Sequence, residues 1–421
     1  MKILHINSSD FGGAGIAALR LHKAMLVNGI DSCFMSLDNQ INDGINYVRF
    51  NTKKENLIKP EQPILSLKNY FLEKLTKRYS KKIALYNKSI AEQKKKNEII
   101  YDDENFEIFS TPFSNYDLTE SEAYKRADII HLHWVVGYLD YPTFFEKNKK
   151  PIVWTIHDEN PFRGGFHYKE DEIRNRDKFG ELDRKYYQIK LDAISNQKKM
   201  TIVSPSKWLA EEAKKSNAFK NRKVLSIYNT LDLEIFKPID KLFAKQLWGI
   251  PGNAKVFMFA SQHISNRRKG FDLLLPIIQR NELNNTYYLI VGSNNSDFGN
   301  RDNIIYTGSI SNDRLMALTY SAADFFILPS REDNLPNTML ESIACGTPVI
   351  SFPIGDAKEL LEDSGCGLLA SDISTSALEN VMVECLLNKV EFSRDHLVNF
   401  SNQNFSENKI TKEYIKEYNS L

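Results

Sequence analysis

Two carboxylates stand out in the stretch "PSREDNLPNTMLESIACGTPVI", from Pro329 to Ile350: Asp333 and Glu341, separated by seven residues that include a proline. The preceding "FFILP" reads as a strand. Pro336 with "NTMLESIACG" reads as a helix that begins at the first position proline favours and stops at Gly346. The loop between them presents unpaired backbone N–H groups at a helix amino terminus, an anion site suited to phosphate. Glu341 lies just over one turn inside, where it can reach past a phosphate to the diol of a ribose. Asp333, still in the loop, points at whatever hangs from the far side of the phosphates. Each carboxylate can accept paired hydrogen bonds from adjacent hydroxyls, so two acids at this interval fit the two ends of a nucleotide-sugar. They equally fit two surface acids near a helix start, which the helix dipole favours in any case.

Three further groups of residues could carry chemistry. "RRKG" places Arg267, Arg268 and Lys269 before Gly270, either as a solvated basic helix start or as cations for an anionic ligand. "GGAG" supplies Gly12, Gly13 and Gly15 in a first turn, either a plain tight turn or a loop that lets backbone approach a ligand closely. His157 ends the apolar run "PIVWTIHD", followed by Asp158. His131 and His133 alternate onto one face of "HLHW", but no carboxylate cluster at ligand spacing accompanies them, so no metal site is expected. The four cysteines, Cys33, Cys345, Cys366 and Cys385, lack CxxC or zinc-type spacing and read as reduced, mostly buried hydrophobes.

The elements that must position these residues follow one scheme, used twice. "KILHIN", the glycine turn and "IAALRLHKAMLVNG" form a strand–turn–helix unit. Apolar runs at "DSCFMSL", "ADIIHLHW", "PIVWTIHD" and "MTIVSPS" continue it, apolar on both faces as parallel strands covered by helices are. The second half repeats the pattern with "KVFMFASQ", "TYYLIVGS", "NIIYTGSI", "ADFFILPS", "TPVISFP" and "GCGLLAS". An α/β chain of two Rossmann-like, doubly wound domains facing a central cleft is expected. Its boundaries are 1–232 and 233–404, with a terminal helix over 405–421 completing the first domain. The 421 residues, longer than one core usually grows, agree with two domains.

A formal charge of +1 gives no global attraction to nucleic acid. The message is local: an insertion over about 51–126 is lysine-rich, and residues 66–97 carry ten Lys or Arg against two acids, an excess of +8. Leu67, Phe71, Leu75, Tyr79, Ile83, Tyr86 and Ile90 recur at helical spacing, so the segment either lies on an anionic membrane surface or packs its stripe on the first domain. The start "MKILHINSSDFGG" has too short an apolar run for a secretory signal, and no stretch suffices for a membrane span, so a cytoplasmic chain is expected.

"LPNTMLESIACGTPVI" resembles the E-x7-E motif of the family 4 glycosyltransferases, retaining enzymes of the GT-B fold. The resemblance extends through "GGAG", "ADIIHLHW", "PIVWTIHD", "IVSPSKWLAE", "YNTLDLEIFKP" and "RKGFD", in order across both domains. "IIHLHWVVGYLDY" paired with "WTIHDENPF" is similar to members that build bacterial capsule, exopolysaccharide and O-antigen. The resemblance implies a nucleotide-sugar donor and a hydroxyl of a glycan acceptor, expected to be lipid-linked, with no cofactor and no metal; D-x-D is absent. It implies that Glu341 binds the donor ribose, Asp333 the transferred sugar, and the amides around Asn337 and Thr338 the diphosphate, with Gly12, Gly13 and Gly15 beside it. Lys269 would neutralise the leaving diphosphate, His157 would contact the transferred sugar, and His133 and Asp158 would wall the acceptor cleft. Two departures matter. The family most often has Glu where this chain has Asp333. Its arginine stands five residues before the lysine, where this chain has Ile264, so Arg268, or else Arg267, is expected to substitute. The expected partners therefore include an anionic membrane surface on the inner face and exclude nucleic acid. A non-catalytic nucleotide-sugar-binding protein and a nucleotide-sugar epimerase are the other readings.

Overall fold

The computed structural model describes residues 1–38, 46–53, 107–280, 283, 285–293, 301–387 and 389–421. Residues 66–97, with their basic apolar stripe, lie outside them. The first sheet holds β1 (Lys2–Ile6), β2 (Asp31–Ser36), β3 (Tyr47–Arg49), β4 (Ile129–Leu132), β5 (Ile152–Thr155), β6 (Met200–Ser204) and β7 (Lys223–Ser226). Its order is β3-β2-β1-β4-β5-β6-β7, parallel throughout. The second sheet holds β8 (Lys255–His263), β9 (Thr286–Ser293), β10 (Ile304–Gly308), β11 (Phe325–Leu328), β12 (Val349–Ser351) and β13 (Gly367–Leu369). Its order is β10-β9-β8-β11-β12-β13, again parallel. The chain is thus an α/β protein of two Rossmann-like domains. The short edge strand β3 has only three residues and no longer apolar run to signal it, and it was not singled out in the sequence.

Each sheet has a switch point where the strand order reverses: between β1 and β4 in the first, and between β8 and β11 in the second. Crevices outside the carboxyl ends of strands form at such points. The segments that follow β1, β4, β5, β8 and β11 carry, respectively, Gly12 at a helix start, His133, His157, Lys269 in a short helical turn, and Asp333. The central strands are buried because helices cover both faces, whereas the edge strands β3 and β10 are only partly covered. Leu4, Ile6, Ile130, Leu132, Ile152, Trp154 and Ile202 build one layer of the first core. Ile3, Leu21, Ile129, Val153 and Val203 build the opposite layer, and they pack on Ile410, Tyr414 and Tyr418 of the helix Glu407–Asn419. That last helix therefore covers the first domain although the chain has already passed through the second. Cys345, Cys366 and Cys385 are buried, Cys33 is half-buried, and all four are free. Among the described residues no helix is long and apolar enough to cross a membrane.

Candidate functional site

The helix Asn337–Ala344 starts one residue later than the sequence suggested: Pro336 is its cap residue, with φ −64° and ψ 128°. Proline's fixed φ serves the boundary equally well, and having no side-chain acceptor it leaves the first N–H groups uncapped. The helix Gly12–Val27 likewise begins without a side-chain cap. The two starts meet: Asn337 Nδ2 donates to the Gly13 carbonyl at 2.9 Å, and Asn337 Oδ1 accepts from Asn229 at 3.0 Å. Thr338 is half-buried in the first turn. Gly12 has φ +72°, and a Cβ on Gly15 would stand 2.8 Å from the Ser9 carbonyl, so both glycines are required by the turn itself. A third helix, Lys169–Ser195, also lacks a cap of its own, and Glu332 supplies one across the cleft by accepting from the Lys169 and Glu170 N–H groups at 2.9 and 3.0 Å.

Around these helix ends the charged groups are paired. Lys269 Nζ lies 2.5 Å from Asp333 Oδ2, and Arg268 Nη1 lies 3.3 Å from Asp333 Oδ1. Burial alone would push the Asp333 carboxyl up, but the two cations outweigh it and hold it below the usual carboxylate range. Gly270 makes this possible. It sits at φ +70°, and a Cβ there would fall 1.7 Å from the Pro329 carbonyl, so only glycine lets the Arg267–Lys269 turn press against the strand β11 exit. Arg268 is more committed than a free phosphate ligand would be. It grips Glu107 through two hydrogen bonds, donates to the Glu332 carbonyl at 3.0 Å and lies 4.2 Å from the Tyr168 ring. Arg267 pairs with Glu170 at 2.9 Å, and Ile264 is a core residue. The expected substitution for the family arginine thus meets a guanidinium already held by a protein carboxylate.

Glu341 is buried at 6% exposure. Its Oε1 accepts from Arg20 Nη1 at 2.7 Å and its Oε2 from the Tyr320 hydroxyl at 3.0 Å. Arg20, Tyr320 and Glu107 were not singled out in the sequence. Arg20 had a signal, since a charge interrupts the apolar run "AALRLHKAM". Glu107 and Tyr320 had none, because pairing across domains, as for Glu107, or between separate helices of one domain, as for Tyr320, leaves no local pattern.

The first domain's side of the cleft differs in kind. Buried His5, His131 and His133 stack with half-buried His157, the His131 and His133 centroids 4.1 Å apart and the His133 and His157 centroids 5.8 Å apart. Burial pushes the His157 imidazole down to about 4 and those of His5, His131 and His133 well below their ordinary value, so the rings are neutral. His5, His131 and His133 bring one ring nitrogen each within 4.8 Å of one another, the one such group of three among the described residues. Both His131 nitrogens already serve Tyr418 and Thr155, at 2.6 and 2.7 Å, and His5 Nδ1 and His133 Nε2 share a hydrogen bond at 3.0 Å. A metal ion would have to displace those bonds. In front of the stack lies a hollow lined by His133, Trp134, Tyr141, His157, Asp158 and Asn160. Burial raises the Asp158 carboxyl, but His167 at 2.6 Å, the Asn160 N–H at 3.0 Å and Trp134 Nε1 at 2.9 Å reverse that and hold it ionised. The structure therefore sets Glu341, Asp333, Lys269, Asn337 and Thr338 on one wall, and His133, His157, Asp158 and the Gly12–Gly15 turn on the other.

Residues 254–388, most of the second domain, match the family model described as "Glycosyl transferases group 1". D-inositol 3-phosphate glycosyltransferase of Mycobacteroides abscessus is 28% identical over 193 residues, 42% of this chain and 42% of that one. The O-antigen biosynthesis glycosyltransferase WclY of Escherichia coli is 28% identical over 164 residues, 37% of this chain and 44% of that one. The chain thus aligns with under half the length of these two relatives. Anabaena Alr3699/HepE, solved in complex with UDP and glucose, superposes with a TM-score of 0.65 over 100% of both chains at 15% identity, which establishes the fold. The chain accordingly has the GT-B fold, and residues 254–388 within its second domain are similar to the group 1 glycosyltransferases.

Proposed function

We propose that the protein is a retaining glycosyltransferase that moves a sugar from a nucleotide-sugar to a hydroxyl of a glycan acceptor in bacterial surface polysaccharide assembly. The observation that carries the reading is the meeting of two uncapped helix starts, at Gly12 and Asn337, with Lys269 and two carboxylates on the wall beside them. Two positive dipole ends and a lysine suit a diphosphate, whose charge grows as the glycosidic bond breaks. Glu341 would then accept from the ribose and Asp333 from the transferred sugar. The UDP and glucose bound by Alr3699/HepE and the O-antigen role in the name of WclY support the same classes of donor and product.

In this reading the bond between the anomeric carbon and the diphosphate breaks while the acceptor oxygen bonds to that carbon from the same face. The acceptor proton passes to an oxygen of the departing diphosphate. Asp333 and Glu341 bind rather than attack, so the two-carboxylate scheme of glycoside hydrolysis is not used. Neutral His157 and His133 orient hydroxyls, and Asp158 fixes the acceptor. No metal is required, since helix ends and Lys269 balance the charge. The acceptor is lipid-linked, and residues 66–97, outside the described residues, bring a cytoplasmic enzyme to the inner face of an anionic membrane. A second reading, a non-catalytic nucleotide-sugar-binding protein, is favoured by one observation: Arg268 is held by Glu107. Incubating the protein with a panel of nucleotide-sugars and following nucleoside diphosphate release separates the two, because an enzyme leaks hydrolysis. Tight binding with no release in the presence of any acceptor extract would favour the binding protein.

A further inference from the structure

Arg20 is in an unusual place for a charge. It lies in the helix Gly12–Val27 among Ala17, Ala18, Leu19 and Leu21, and is itself buried. A guanidinium out of water costs several kcal/mol unless paired. Every partner that the structure gives it comes from beyond its own domain: Glu341 at 2.7 Å, Asp313 at 3.5 Å, and the face of Phe236 at 4.8 Å. Its Nε is buried without a partner. Glu341 is equally constrained. Arg20 donates to one carboxylate oxygen and the Tyr320 hydroxyl to the other, so the plane of the group is fixed while each oxygen keeps a lone pair. Two lone pairs on a fixed carboxylate are what a vicinal diol needs, and a freely rotating one would satisfy it only part of the time.

We infer that Arg20 is a positioning residue for donor recognition: reaching from the first domain into the second, it orients the Glu341 carboxylate so that the nucleotide's ribose diol is read only when the two domains are together. The inference rests on the reading that Glu341 accepts from the ribose. It differs from a simple interdomain tie in what it makes sensitive. A tie would alter affinity for every ligand of the closed protein alike, whereas an orienting role alters the discrimination between ribose and deoxyribose.

The test uses the full chain and equilibrium binding of UDP, GDP and ADP, each beside its 2′-deoxy counterpart, so it needs neither donor sugar nor acceptor. For the nucleotide that binds best, the parent should prefer ribose by about tenfold or more, the range of a charge-assisted hydrogen bond. Arg20→Met should lose most of that preference, Arg20→Lys should keep part of it because the charge remains without the fork, and Tyr320→Phe should lose less than Arg20→Met. If Arg20→Met does not fold, Arg20→Lys and Tyr320→Phe still report. Glu341→Gln separates the two levels. A preference unchanged in Glu341→Gln, or absent in the parent, overturns the ribose reading and the inference with it. A preference lost in Glu341→Gln but unchanged in the Arg20 and Tyr320 variants overturns the inference alone.

Discussion

The two walls of the cleft solve the burial of polar groups in opposite ways. On the second domain's wall the groups are charged and each has a counter-ion: Lys269 with Asp333, Arg268 with Glu107, Glu341 with Arg20. On the first domain's wall the histidines are neutral, and His5 Nε2, His133 Nδ1 and His157 Nε2 are buried without partners. A donor carries two phosphates and exchanges its charges with those of the protein, so a paired ionic wall is suited to it. A glycan hydroxyl carries no charge and needs unfilled donors and acceptors, which neutral imidazoles supply. In the proposed function the donor therefore lies on the second domain's wall and the acceptor on the first domain's.

The largest effect expected from breaking this contrast is on Lys269. Lys269→Met should lower turnover by about 100- to 1,000-fold, the loss seen when one preorganised charge stabiliser is removed. Stopped assays of nucleoside diphosphate release measure it, and a loss under threefold would take Lys269 out of the reacting centre.

Acid should affect the histidine wall first. His157 has its folded value lowered to about 4 by burial, so the folded protein binds fewer protons than the unfolded chain between that value and about 6.5. The contribution of the neutral ring to stability is complete above about pH 6.5 and is lost as pH falls toward 4, by about 1.4 kcal/mol per pH unit for each proton. Denaturant midpoints at pH 7, 6 and 5 should fall in the parent and fall less steeply in His157→Gln. Equal slopes would place the titration elsewhere.

Glu107→Gln should have the smallest effect and the opposite sign, since it releases Arg268 from a carboxylate that competes with the diphosphate. Nucleoside diphosphate affinity should rise a few-fold by calorimetry. A fall would make Glu107 a support of the site rather than a competitor.

The comparison also explains what the sequence revealed. Both sheets were legible because strands covered on both faces are continuous apolar runs, as in "PIVWTIHD" and "ADFFILPS", and the helix ends were marked by Pro336 and Gly346. The second domain's wall was legible where its residues share one loop and helix, as Asp333 and Glu341 do. Arg20, Glu107, Tyr168 and Tyr320 were not, because the contacts of the first three span 100 residues or more and that of Tyr320 joins two separate helices of the second domain, and local periodicity carries no trace of such pairing. The substitute arginine is an expectation from the family resemblance, which cannot show that Glu107 returns from the insertion to hold Arg268.

The orientation of the donor on the second domain's wall is the central claim, and calorimetric titration of a nucleoside diphosphate and of its nucleotide-sugar tests it most directly, using the parent, Glu341→Ala and Asp333→Asn. The account predicts that Glu341→Ala weakens both ligands by about ten- to hundredfold, as loss of a charged acceptor does, whereas Asp333→Asn weakens the nucleotide-sugar and leaves the bare diphosphate nearly unchanged. A parallel collapse of diphosphate affinity in Asp333→Asn, with Glu341→Ala indifferent to the nucleotide, would reverse the donor and contradict the assignment.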